Sequence, residues 1–162
     1  KNRDSACSVA VVVIENGRMV DSYNSLIRPP EMFFEEGNIK IHGITPQMVE
    51  NAPTFADIWN DLRMYLDNMG VLRSCIWKYN LAKPQFKTAC TVQIARKVWP
   101  QLPNHKLNTL GEFFQIQFKH HDALDDAKVC AKIPLVAGRT VGVDNMDSLL
   151  RKIGLEAKIF KS

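Results

Sequence analysis

The residues whose types and spacing could do chemistry lie in one short run, His120-His121-Asp122-Ala123-Leu124-Asp125-Asp126-Ala127. Carboxylate oxygens suit hard divalent cations such as Mg²⁺ or Mn²⁺, and a neutral imidazole can take a proton from water near neutral pH. A histidine just ahead of a helix, with a carboxylate a little over one turn into it, can aim both groups at one point. The same residues also have a purely structural reading. Asp122 is a good N-cap, and Asp125 and Asp126 in the first turn complement the helix dipole. On spacing alone both readings stand, and either His120 or His121 could be the imidazole that matters.

Several elements must position that run. Ala6 to Ile14 is rich in valine and reads as a strand, Glu15-Asn16-Gly17-Arg18 as a hairpin turn, and Met19 to Ile27 as the returning strand. Glu31 to Ile44 reads as irregular, with Phe33 and Phe34 paired as core or as base-stacking surfaces. Thr45-Pro46 marks a helix start, and Thr54 to Asp57 is a capping box. Phe55, Ile58, Trp59, Leu62, Tyr65 and Leu66 then repeat at helical spacing. A second amphipathic stretch carries Val71, Leu72, Cys75, Ile76 and Tyr79. Phe86 to Thr91 is a candidate strand, feeding a helix from Val92 that Pro100 closes. Further helices are expected from Lys106 to Phe114, from Asp122 to Val136 with Pro134 kinking or ending it, and from Asp144 to Ile153 with Gly154 as its C′ residue. Strands first and helices after them predict an α/β or α+β fold.

Composition sets the outer bounds. The 162 residues are 46% hydrophobic and 23% charged, which suits one globular domain with its own core. Val9 to Ile14 is far too short to cross a bilayer, and the broken, basic start does not read as a signal peptide. Cys7, Cys75, Cys90 and Cys130 are widely spaced, which reads as buried thiols in a reducing compartment and predicts a cytoplasmic protein. The cysteines and histidines lack zinc-ligand spacing. A net charge of +4 permits a polyanionic partner without requiring one. Of the remaining histidines, His42 reads as a loop histidine and His105 as structural, near a helix start. The tryptophans Trp59, Trp77 and Trp99 read as packing residues, and Lys78, Lys83, Lys87, Arg96 and Lys97 as a solvated basic scatter.

Five segments, in order, carry a resemblance. His121 to Ala127 is similar to the H-x-x-x-x-D motif of the DEDDh 3′-5′ exonucleases, the superfamily of the proofreading subunit of DNA polymerase III and of RNase T. Ile41-His42-Gly43-Ile44-Thr45 followed by Met48-Val49 resembles that family's I-H-G-I-T segment, and Glu15 to Val20 its hairpin. Cys90-Thr91 leading to Ala95-Arg96, and Leu102 to Leu107, resemble the run ahead of the last motif. The resemblance covers Ser5 to Ile133. It implies a ribonuclease H-like α/β fold, a mixed sheet of about five strands flanked by helices. It divides the chain into an exonuclease domain, 1–137, and a C-terminal extension with one helix, 138–162. It implies a metal-dependent 3′-5′ exonuclease releasing nucleoside 5′-monophosphates from a DNA or RNA 3′ end, with two Mg²⁺ or Mn²⁺ ions. A DNA polymerase is the further partner it suggests, and a membrane is not. By the same count, His121 becomes the catalytic base and Asp126 a metal ligand, Asp122 and Asp125 remain structural, and His42, Gly43 and Ile44 become substrate contacts.

The chain also departs from that family. The first motif, D-x-E, would precede Lys1-Asn2-Arg3-Asp4-Ser5-Ala6, and an H-N-x-x-F-D stretch is expected where Asn68 runs directly into Met69. Loss of both would strip central strands from the sheet, which costs far more than a substitution would. The expectation is therefore that the intact protein has these segments, on the order of ten residues at the second position. The alternative is a non-catalytic nucleic-acid-binding or scaffold domain that kept the fold without its acids.

Overall fold

The computed structural model describes residues 5–65, 76, 79–81 and 87–159. The Asn68–Met69 junction, Trp77, Lys78, Lys83 and most of the second amphipathic stretch lie outside the described residues.

Strands β1 (Ser8–Glu15) and β2 (Arg18–Leu26) form the expected antiparallel hairpin. Its turn residues Asn16 and Gly17 both have positive φ, 49° and 75°, which suits the right-handed twist of the flanking strands. The register shifts between Val13 and Ile14. Adjacent residues Val11 and Val12 are both buried, so β1 is covered on its two faces, as a strand between helix layers must be. Val11 packs with Ile27, Phe55, Ile58, Trp59, Leu62 and Ile76.

The Phe33–Phe34 segment differs from expectation. Phe33 is exposed, so the pair is not a core pair, and Glu36–His42 forms a helix, α1, where irregular chain was expected. Gly43 explains the difference: at φ 76° it closes α1 in a left-handed cap, its N–H donating to the Ile39 carbonyl at 2.7 Å. A short helix, α2 (Pro46–Val49), follows with proline in its first turn. Backbone bonds then carry the chain from the hairpin into α3 (Phe55–Tyr65). The Arg28 N–H donates to the Pro53 carbonyl at 2.9 Å, and Arg28 bridges Thr54. The capping box forms as the sequence indicates. Thr54 N–H and Oγ1 both donate to Asp57 Oδ2, at 2.8 and 2.7 Å, and the Asp57 N–H returns to Thr54 Oγ1 at 3.3 Å.

The second half is a helix cluster. Strand β3 is only Lys87–Thr88 and pairs antiparallel with β4 (Lys158–Ile159) at the end of the described chain. Among the described residues the strands thus make two two-stranded sheets, and the five-strand sheet is not displayed by them. Helices α4 (Thr91–Val98), α5 (Leu107–Phe113), α6 (Ala123–Val141) and α7 (Met146–Lys152) bury Ile94, Ala95, Trp99, Leu110, Ile133, Ala137, Leu149 and Leu150 together. Residues beyond Val136 therefore share this core. His105 is structural here, with Nε2 3.0 Å from the Trp99 carbonyl oxygen. Trp59 and Trp99 are buried packing residues.

Two further readings are corrected. Cys90 is exposed, just before α4, while Cys7 and Cys130 are half-buried. Helix α6 also runs through Pro134 to Val141 instead of stopping near Val136. Proline removes one backbone hydrogen bond, but Ile133 and Ala137 on either side of it are fully buried, and their packing outweighs that loss. Gly142, at φ 71°, ends the helix, and the Val143 N–H donates to the Gly138 carbonyl at 2.9 Å.

Gly138 allows that close ending, because a Cβ there would stand 2.8 Å from the Val143 carbonyl oxygen, a backbone atom with nowhere to go. Alanine gains about 1 kcal/mol in helix propensity, whereas overpacking costs about 1–3 kcal/mol. Gly138→Ala is expected to destabilise the fold on balance, seen as a lower urea midpoint with an unchanged denaturant slope.

Candidate metal and nucleic-acid site

The start of α6 is held by its own side chains. Asp122 is the N-cap, its Oδ1 accepting from the Leu124 and Asp125 N–H groups at 3.1 Å each. The Asp122 N–H donates to the Lys119 carbonyl at 3.0 Å. Asp125 reaches back over the loop, where its Oδ2 accepts from the Lys119 N–H at 3.0 Å and its Oδ1 from Lys128 Nζ at 3.2 Å. These bonds, the Lys119 backbone first and then the Lys128 ammonium, hold the Asp125 carboxyl below the usual carboxylate range. Asp122 and Asp125 are thus committed to the loop and the helix start.

Asp126 is used differently. Its Oδ1 lies 3.1 Å from His120 Nδ1, and its side chain is 28% exposed. The His120 ring is stacked on the His121 ring, with centroids 3.9 Å apart and planes 22° apart. One ligand atom each from His120, His121 and Asp126 can be chosen so that all lie within 4.8 Å of one another. His121 is exposed and has a positive φ of 72°, a conformation costly for a residue with a Cβ. One turn further along α6, Cys130 is half-buried near the same carboxylate. Burial pushes its thiol pKa up, the Asp126 charge pushes the same way, and a hydrogen bond with Thr91 opposes both.

The structure thus brings His121 and Asp126 together, as the spacing suggests. It also brings in His120, which the sequence offered only as a rival to His121. His120 precedes Asp126 by six residues across a helix cap, a separation at which no simple periodicity announces contact. Thr91 and Cys130 were likewise missed. The legible signal was Cys130 standing four residues after Asp126, on the same helix face.

His42, Gly43 and Ile44 form a local unit. The Ile44 N–H donates to His42 Nδ1 at 3.0 Å, Ile44 is buried, and Gly43 is exposed with open space where a Cβ would stand.

Asp126 supplies an oxygen donor of the type that Mg²⁺ or Mn²⁺ prefers, whereas the two imidazoles suit softer metals. A carboxylate with a second oxygen available stands beside two imidazoles, all partly open to solvent. Donors for a second ion do not appear in this cluster among the described residues.

Comparison with known proteins identifies the family. The exonuclease family profile RNase_T matches residues 1–133. A PolC-type DNA polymerase III of Oceanobacillus iheyensis is 31% identical over 137 residues, covering 77% of this chain and 10% of that protein. The 3′-5′ exonuclease DinG of Bacillus subtilis is 29% identical over 150 residues, covering 82% of this chain and 16% of that protein. The chain therefore spans only between 10% and 16% of the length of these two relatives. Among solved structures, exonuclease X in complex with 5′ overhanging duplex DNA matches with a TM-score of 0.72 at 21% identity, over 94% of this chain and 93% of that one. The nuclease domain of 3′hExo, a DEDDh family member bound to rAMP, matches with a TM-score of 0.68 at 18% identity, over 96% and 84%. No helix among the described residues is long and apolar enough to cross a membrane. With a family match over most of its length and the same fold as these nucleases, the chain belongs to the RNase_T exonuclease family.

Proposed function

We propose that this chain is the nuclease unit of a metal-dependent 3′-5′ exonuclease, cutting the terminal phosphodiester of a DNA or RNA strand and releasing a nucleoside 5′-monophosphate. The observation that carries the reading is the meeting of His121 and Asp126 at the start of α6. His121 acts as general base and takes the proton of the attacking water, and the oxygen of that water joins phosphorus as the bond to the 3′-oxygen breaks. Asp126 is the residue that would hold a divalent cation, Mg²⁺ or Mn²⁺. Such a cation supplies charge neutralisation at the phosphate and a more acidic water. The two-ion arrangement requires carboxylates beyond this cluster.

Asp122 and Asp125 keep the loop in place and do not enter the chemistry. His42, Gly43 and Ile44 are assigned to the terminal nucleotide, since the exposed Gly43 lets a sugar or base approach the backbone closely. The unit is assigned to 1–137, with 138–162 as an extension that carries the end of α6 and α7 and packs into the same core. The likeness to PolC-type polymerases supports a DNA polymerase as partner and proofreading as the setting. A second reading, a nucleic-acid-binding domain without turnover, is favoured by one observation. Among the described residues the cluster holds a single carboxylate.

Hydrolysis of a 5′-labelled oligonucleotide, with and without Mn²⁺, separates the two readings. Turnover is expected with Mn²⁺ and not after chelation, whereas strand binding without cleavage under both conditions would establish the second. His121→Ala is expected to lower the rate about 10²–10⁴-fold, the usual share of a general base, with the circular dichroism spectrum unchanged. Asp122→Ala is expected to cost about 1 kcal/mol of stability through the lost cap while keeping most of the turnover. Equal loss of turnover in both variants would contradict the division of roles.

A further inference from the structure

We propose that His120 is a positioning residue whose single imidazole holds the Asp126 carboxylate and the His121 ring at once. This rests on the roles given above to His121 and Asp126. Three contacts fix the His120 ring. Its Nδ1 is 3.1 Å from Asp126 Oδ1, its face is stacked on His121 at 3.9 Å, and Phe118 meets it edge-on with centroids 5.6 Å apart and planes at 64°. Phe118 is itself seated over Gly111, where any Cβ would collide with its ring. The ring, 39% exposed, is thus contacted through its face, through Phe118 and through one nitrogen.

Each of the two functional groups needs such a hold. His121 is exposed and sits on a left-handed backbone, a state that persists only where the surroundings over-determine it. The Asp122 cap and the Asp125 bond to Lys119 fix the backbone on either side, but no hydrogen bond of theirs reaches the His121 ring. The stack on His120 does. Asp126 carries two equivalent oxygens on a rotatable bond. An Nδ1–H donor on Oδ1 selects one orientation and leaves Oδ2 for a cation, which is how outer residues commonly orient a metal-binding carboxylate. The bond to a carboxylate, which has no proton to give, places the proton on His120 Nδ1.

The two tasks can be separated chemically. Phenylalanine keeps a ring to stack and loses the donor, while asparagine keeps a donor close to the position of Nδ1 and loses the ring. The test uses the full chain and its His120→Phe, His120→Asn and His120→Ala variants. Three quantities are measured: Mn²⁺ affinity by electron paramagnetic resonance of the free ion, the ring-proton shifts of His121 by NMR, and kcat on an oligonucleotide. His120→Phe is expected to weaken Mn²⁺ about 10-fold and keep the ring-current shift of His121. His120→Asn is expected to keep the affinity and lose the shift. His120→Ala is expected to lose both and to lower kcat about 10-fold or more.

Wild-type affinity and shifts in His120→Ala would overturn the proposal. So would equal losses in all three variants tracking a common fall in melting temperature, the mark of a merely structural residue. A wild-type chain that does not bind Mn²⁺ overturns the Asp126 half. A wild-type chain that binds Mn²⁺ and shows the split between Phe and Asn, yet cuts no strand, upholds the positioning role while refuting the nuclease reading.

Discussion

The structure depends most on how the chain enters α6. Four residues, Lys119 to Asp122, turn the backbone into a helix that packs on β1, α4, α5 and α7. A helix start leaves N–H groups without partners, and here the Asp122 side chain accepts two of them. Asp125 then ties the loop back by accepting from the Lys119 N–H. With entry and helix both fixed, the left-handed His121 has no free path to relax. The side chains around it inherit a defined geometry.

That constraint explains why three acids so close together have three different fates. Asp122 accepts from two backbone N–H groups, and Asp125 accepts from the Lys119 N–H and the Lys128 ammonium. The third lies one residue further round the helix and meets the imidazole of the loop residue His120 instead. The helix turns about 100° per residue, so adjacent carboxylates Asp125 and Asp126 point to different sides. Electrostatics follow position. The Asp125 charge is favoured by its donors, and the Asp126 charge is felt by Cys130 one turn along.

The burial pattern shows how the site is mounted. β1 is covered on both faces, with Val11 packing on the α3 side and α6 lying against the same strand. The apolar face of α6 joins α4, α5 and α7 through Ile133 and Ala137. Strand and helices thus clamp the body of α6, and its N-terminal end projects where solvent can reach it.

Much of this was legible in the residues alone. Asn16-Gly17 between valine-rich and β-compatible runs dictated a hairpin, because only those residue types accept two positive φ values cheaply. The capping box at Thr54, the cap at Asp122 and the terminal Gly154 are local hydrogen-bonding and backbone preferences, so they appear in the structure where the sequence places them. Spacing marked Asp126 with two rival imidazoles, His120 and His121, and the family resemblance preferred His121. What tertiary structure decided was everything that depends on contacts between segments. Helix α6 outlasts Pro134 because the neighbouring residues are buried by other helices. Strand β3 exists only through pairing with a segment 70 residues away. The choice of His120 as the partner of Asp126 belongs to the same class. Local preferences are properties of a few adjacent residues and can be read from them, whereas packing and pairing depend on which distant side chains the fold delivers.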